Sequence, residues 1–193
     1  MQQIRAAIIK KYDAVSSSAT GYFSYRVGKE GALRLGYPKE LLEEIPEELL
    51  NAFCGVGNPL QGEQIHEGSS VLDLGCGAGL DLYLASRMVG NAGRVVGVDL
   101  SREMAARARA NLSALQATNS EIIDVESETL PFPDDSFDRV TSNGVINLSP
   151  DKAGLFSEIH RVLKPGGLLQ FADIILDKEL PVHLATGVES WSQ

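Results

Sequence analysis

From residue 70 onward, short continuously apolar runs alternate with longer stretches whose apolar positions recur at helical spacing. The short runs are Val71–Leu74, Arg94–Val98, Glu121–Asp124, Asp138–Ser142 and Leu168–Leu176; the periodic stretches are Leu80–Val89, Ser101–Gln116 and Pro150–Leu163. Read in order they predict strand, helix, strand, helix, strand, strand, helix, strand. The strands are apolar on both faces, as in Val71-Leu72-Asp73-Leu74 and Val95-Val96-Gly97-Val98. That suits a mostly parallel sheet covered by helices on either side, so the expected fold is α/β and doubly wound. Ser101 ahead of Met104, and Ser149-Pro150-Asp151, supply short polar side chains for the orphan N–H groups of helix starts. Lys164-Pro165-Gly166-Gly167 reads as a helix stop before the last strand.

Residues 1–69 break the alternation. Helical patterns at Ile4–Lys10 and Lys39–Phe53 are separated by Gly21, Gly28, Gly31, Gly36 and the break Gly55-Val56-Gly57-Asn58-Pro59. This segment is expected to be a helical N-terminal cap over the carboxyl ends of the strands, where α/β sheets bind ligands. Residues 70–193 form the core, and a chain of 193 residues accommodates both in one structural unit.

Composition narrows the partners. With 44% hydrophobic and 22% charged residues and a mean hydropathy close to zero, the chain is neither disordered nor fibrous. No apolar run reaches the ~18 residues of a bilayer span, and Met1 to Asp13 lacks the apolar centre of a secretion signal, so a cytoplasmic protein is expected. A formal charge of -9 disfavours nucleic acid and anionic membrane as partners, and Arg102, Arg107 and Arg109 read as a solvated helix face. Cys54 and Cys76 are too few for a disulfide framework and are expected as reduced thiols. His66, His160 and His183 have no metal-ligand spacing, so no metal is expected.

The chemistry concentrates at Val71-Leu72-Asp73-Leu74-Gly75-Cys76-Gly77-Ala78-Gly79-Leu80-Asp81, a strand entering a glycine-rich turn and then a helix. Glycine there permits tight turns and close approach of a ligand to main chain. Asp99 follows about 20 residues on, at the end of the next strand, where a carboxylate can accept hydrogen bonds from ribose hydroxyls. A nicotinamide-binding oxidoreductase uses the same parts, but its fingerprint spaces glycines as G-x-G-x-x-G to seat a pyrophosphate. Here Gly75, Gly77 and Gly79 are evenly spaced behind Asp73.

The even spacing resembles motif I of class I S-adenosylmethionine-dependent methyltransferases, a Rossmann-like superfamily. Leu130-Pro131-Phe132-Pro133 with Ser136-Phe137-Asp138, and Arg161-Val162-Leu163-Lys164-Pro165-Gly166-Gly167, are similar to its later segments. The resemblance implies S-adenosyl-L-methionine as cofactor, held by Asp73, Gly75, Gly77, Gly79, Asp99, Leu100, Met104, Glu126, Ser127 and Asn143. Met104 would pack on the adenine ring, and Glu126 and Ser127 would meet its edge. Methyl transfer from a sulfonium depends mainly on alignment, so no catalytic residue is named. Tyr22 and Tyr25 are candidates to cover the methyl group.

Ser142-Asn143-Gly144-Val145-Ile146-Asn147-Leu148-Ser149-Pro150-Asp151-Lys152 is similar to a signature of the arsenite methyltransferase family, as are Gly36-Tyr37-Pro38, Gly57-Asn58-Pro59, Ala172-Asp173-Ile174 and Glu179-Leu180-Pro181. The similarity covers most of residues 36–193. That family holds trivalent arsenic through cysteine thiolates, soft ligands for a soft centre. Here its cysteine positions fall on Val56, on Gly144 and just beyond Gln193, with Cys54 two residues off the matching place. The expectation is a methyltransferase acting on a small-molecule acceptor, with weak or no arsenite methylation; Cys54 is either packed or a participant. A cofactor-binding module without turnover is the alternative. The superfamily's sheet gains two strands after Leu168–Leu176, whereas Asp177 to Gln193 shows no strand pattern. A truncated chain, a naturally shortened copy or a covering partner is therefore expected, with self-association through an edge rich in Phe171, Ile174, Ile175 and Leu176.

Overall fold

The computed structural model describes residues 2–175 and 177. Ahead of the sheet lie α1 (Gln2–Val15), α2 (Gly28–Arg34), α3 (Lys39–Glu43), α4 (Glu47–Asn51) and a 3-10 turn at Pro59–Gln61. The core then runs β1 (Ser70–Leu74), α5 (Leu80–Val89), β2 (Arg94–Asp99), α6 (Arg102–Ala114), β3 (Ser120–Asp124), β4 (Phe137–Asn143), α7 (Lys152–Val162) and β5 (Leu163–Ala172). The strands form one sheet in the order β3-β2-β1-β4-β5, with every pairing parallel. This is the doubly wound, Rossmann-like architecture expected from the alternation.

Three expected elements take different bounds. The single helix read over Lys39–Phe53 is divided into α3 and α4, because Pro46 offers no N–H to continue α3 and instead stands at the N-cap of α4. α2 was read as a glycine break; Gly31 lies inside it, where a Cβ would come within 2.5 Å of the Arg26 carbonyl oxygen, so glycine there serves close packing. β5 begins at Leu163, directly from α7. Leu163 pairs with Phe137 and Leu168 with Arg139, so Lys164–Gly167 bulges out of the ladder around Gly166 at φ +81. Within the bulge the Lys164 ammonium meets both Asp138 oxygens at 2.9 Å, and that carboxylate also accepts the Ser70 N–H, locking the starts of β1 and β4 together.

The two helix starts use the expected residues. Ser101 Oγ accepts the Met104 N–H, and Asp151 accepts the Gly154 N–H while Ser149 accepts that of Asp151. One face of the sheet, through Val71 and Val95, shares a buried cluster with α5 and with Leu42, Leu49, Leu50 and Phe53 of the first 69 residues. The other face, through Leu72, Val96, Val98 and Val140, packs on Leu155, Ile159 and Val162 of α7. Among the described residues β3 and β5 are the outer strands, and the β5 edge is the apolar one. Phe171 and Ile174 are 48% and 49% exposed there, and Phe171 packs edge-on against Phe156. Leu176 and the stretch 178–193, on which the expectation of absent later strands bears, lie outside the described residues. No helix among the described residues is long and apolar enough to cross a membrane.

Candidate cofactor site

A cavity opens at the carboxyl ends of β1, β2 and β4, the place where a doubly wound sheet leaves room for a ligand. Its floor is made by the turn after β1. The N–H groups of Gly75 and Cys76 both donate to the Val98 carbonyl, at 2.8 and 3.0 Å, folding the turn onto the end of β2. Gly75 and Gly77 have φ of +71 and +52, a region that disfavours side chains. A Cβ at Gly75 would fall 2.4 Å from a Val145 methyl, whereas one at Gly77 would meet nothing within 4 Å. Bare main chain therefore faces open space at Gly77. Gly79, at φ +98, is the N-cap of α5 and packs towards Ala108 and Leu112 away from the cavity.

Asp99 stands beside this turn at the end of β2. Its carboxylate accepts the Gly77 N–H on one oxygen and the Ser101 N–H on the other, each at 2.8 Å. Burial pushes its carboxyl up to about 6, against the pull of the Ser101, Gly77 and Leu100 N–H groups. Leu100, the buried Met104 and Ser127 continue the wall. An acid with remaining acceptor capacity, an apolar wall and exposed backbone together fit a nucleoside bearing an amino-acid tail.

Three of the expected cofactor residues lie elsewhere. Asp73 is 2% exposed beneath the sheet end and accepts the Thr141 hydroxyl at 2.8 Å. Burial, with the Asp81 charge next in importance, pushes its carboxyl up to about 8. Glu126 is turned to solvent, 3.3 Å from Arg102, and Gly79 serves packing. Asn143 borders the cavity, but its amide points into the first 69 residues and accepts the N–H groups of Val56 and Gly57.

Other cavity residues escaped the sequence reading. Arg5, Ile8, Ile9 and Tyr12 form one stripe of α1 that roofs the cavity. Arg5 pairs with Glu128, which also accepts the Ser149 hydroxyl, and Asp13 accepts the Ser101 hydroxyl at 2.6 Å, so α1 is fastened near both ends. Burial pulls the Glu128 carboxyl up, but the Arg5 guanidinium, the backbone N–H of Glu128 and the Ser149 hydroxyl together hold the group below its ordinary value. The amphipathic spacing of these α1 residues was visible in the chain; the surface they cover was not. Tyr22 is exposed, and the Tyr25 hydroxyl donates to the Cys54 carbonyl oxygen. Cys54 itself borders the cavity, its thiol pushed up to about 12 mainly by burial and next by Asp99, so it stays protonated near neutrality.

Residues 65–193 match the family model described as a methyltransferase domain. The chain belongs to the class I S-adenosylmethionine-dependent methyltransferases. It is 38% identical over 151 residues to the arsenite methyltransferase of Halobacterium salinarum, covering 78% of this chain and 38% of that protein. It is 35% identical over 164 residues to that of Homo sapiens, covering 80% and 43%. The crystal structure of an arsenic(III) S-adenosylmethionine methyltransferase from Chlamydomonas reinhardtii superposes with a TM-score of 0.69 at 40% identity, over 76% of this chain and 51% of that one. The chain thus spans less than half the length of these two curated relatives. S-adenosylmethionine is the cofactor of this methyltransferase fold, and the residues around Gly77 and Asp99 fit it. The positions assigned to two of the arsenite family's cysteines adjoin each other: a Cβ at Gly144 would lie 3.5 Å from both Val56 methyls. Neither position carries sulfur.

The buried Asp73 gives a test on stability. Folded, it keeps its proton up to about pH 8, whereas an unfolded Asp loses it near ~4. A carboxyl raised on folding contributes stability that is present in acid and lost as the pH rises through that interval. Asp73→Asn removes this loss. Urea denaturation should show the variant gaining most on the native chain at pH 8 and above, with the gain shrinking toward pH 4; a pH-independent difference would contradict the buried acid.

Proposed function

We propose that this chain binds S-adenosylmethionine in the cavity and transfers its methyl group to a small-molecule acceptor. The observation that carries the reading is the Asp99 carboxylate beside the uncovered main chain of Gly77. When bound, the cofactor supplies a methyl group already activated on a sulfonium. The protein's share is alignment and exclusion of water. Asp99 accepts the ribose hydroxyls, Leu100 and Met104 offer the adenine an apolar face, and Gly75 and Gly77 present backbone to the amino-acid end. Ser127 would line the adenine side, and α1 with Tyr12 would cover the cavity, while Glu126 stands in solvent beside Arg102. Gly79 caps α5 behind the turn, Asp73 lies buried on Thr141 beneath the sheet end, and Asn143 holds the wall beside the turn. No dedicated base belongs to this reading.

The acceptor side departs from the arsenite enzymes to which the chain is similar. Val56 and Gly144, side by side, stand where the resemblance puts two of that family's thiolates, and Cys54 is a single protonated thiol. A cofactor-binding module without turnover draws support from the same absence and differs in giving no product with any acceptor in a screen with labelled cofactor. The acid-rich chain, at a formal charge of -9, makes nucleic acid a poor acceptor; a cytoplasmic setting is part of the proposal. Self-association of two copies along β5 belongs to the same reading.

Four measurements check it. In a calorimetric titration, Asp99→Ala should weaken S-adenosylmethionine binding by about tenfold or more, the scale of lost hydrogen bonds to a charged group. Native affinity should itself fall as the pH drops through about 6, because protonation removes an acceptor oxygen; unchanged affinity in either experiment counts against the ribose assignment. Arsenite supplied with thiol and cofactor should yield little or no methylated arsenic, and robust turnover would overturn the acceptor reading. Light scattering should return the mass of two chains, and a single-chain mass removes the self-association.

A further inference from the structure

Asn143 ends β4 beside the cavity, yet every polar atom of its amide is engaged inside the protein. Oδ1 accepts the N–H groups of Val56 and Gly57 at 2.8 and 3.2 Å. Nδ2 reaches the Gly57 carbonyl at 2.9 Å, Asp81 Oδ2 at 3.0 Å and the Tyr37 hydroxyl at 3.1 Å. The Tyr37 hydroxyl donates in turn to Asp81 Oδ1. Asp81 thus receives one hydrogen bond on each oxygen, from residues far apart in the chain. Tyr37 is 3% and Asp81 7% exposed, so water does not compete for these contacts.

An amide can be turned end for end with little change of shape, and here the carboxylate decides its orientation. Ionised Asp81 only accepts, so it faces the NH2 end of Asn143 and leaves the oxygen for the N–H groups of Val56 and Gly57. The fit is close. A Cβ at Gly55 would lie 2.4 Å from Asn143 Nδ2, so residue 55 packs with bare backbone. Cys54, immediately before, borders the cavity, and Val56 lies against Gly144 on the same wall. Asp81 also sits in the first turn of α5, just past the Gly75–Gly79 turn. One carboxylate therefore connects three parts of the site: the wall at 54–57, the end of β4 and the helix that follows the glycine turn. Burial raises Asp81 while Tyr37 and Asn143 pull it back; Asp73, raised likewise by burial, has the Thr141 hydroxyl as its side-chain donor. Both Asp81 oxygens accept a hydrogen bond, the pattern of the charged form.

We propose that Tyr37 and Asp81 are positioning residues, which act through the Asn143 amide to set the Cys54–Gly57 wall of the cofactor cavity. The inference rests on the reading of that cavity as the S-adenosylmethionine site. Neither residue touches the cavity itself, and each acts through another.

The test compares the native chain with Tyr37→Phe and Asp81→Asn. The second is close in size to the native side chain but cannot accept on both positions, so its failure to substitute marks acceptor count and charge rather than volume. The two cysteines provide the local readout. Cys54 lies on the wall and is half-buried, while Cys76 is buried in the glycine turn. Reaction with a disulfide-exchange reagent should accelerate about tenfold at Cys54 in both variants with Cys76 still protected, and the Kd for S-adenosylmethionine should rise by about tenfold. Unchanged labelling of Cys54, parallel acceleration of both thiols, or an unchanged Kd overturns the proposal. If Asp81→Asn does not fold, the milder Tyr37→Phe decides alone. A native chain that fails to bind S-adenosylmethionine overturns the functional reading, and thiol labelling still decides whether Tyr37 and Asp81 set the wall.

Discussion

The site depends on the Asp99 carboxylate accepting two backbone N–H groups that belong to different elements. Gly77 brings the turn after β1, Ser101 brings the start of α6, and Asp99 itself ends β2. Without an acceptor at this point, the N–H of the buried Ser101 would be stranded, at about 1–3 kcal/mol, and that of the half-buried Gly77 would lose its partner. Between its glycines the turn carries only two small side chains, the buried Cys76 and Ala78. Its shape follows from positive φ angles that only glycine adopts cheaply and from acceptors supplied by β2, Val98 O and Asp99. A turn organised this way leaves the remaining acceptor capacity of Asp99 directed at whatever occupies the cavity.

Beneath it, a second layer of acid is costly. Asp73 and Asp81 are both nearly excluded from water, and two charges so close in a medium of low polarity cannot both persist. The arrangement is tolerable because the donors are unequally shared. Asp81 has a donor on each oxygen, from Tyr37 and Asn143, whereas Asp73 has Thr141. Purely apolar packing would hold the first 69 residues to the sheet at least as firmly. The polar seam instead gives them one definite seating.

The order of strands and helices from residue 70 onward, and the pairing of Gly77 with Asp99, could be read from the chain because they rest on local periodicity and on a turn whose backbone only glycine fits. The bulge at Lys164–Gly167 could not. Its residues carry the marks of a helix stop, and membership in β5 is conferred by Phe137 and Arg139 across the ladder. Glu126 and Glu128 stand two apart in a loop with no period to tell which faces inward; Arg5, distant in sequence, settles it for Glu128. Asn143, expected to hold the cofactor, borders the cavity, but the direction of its amide depends on Tyr37 and Asp81, partners from two other segments. Pro46 was a legible break passed over in favour of a longer apolar rhythm.

The roof formed by α1 carries a consequence for kinetics. A helix fastened at Arg5 and again at Asp13, with Ile8, Ile9 and Tyr12 turned inward between them, covers one side of the cavity. Opening that side means releasing both fastenings together, so its ease is set by two contacts on a surface helix and not by the sheet and glycine turn that make the floor.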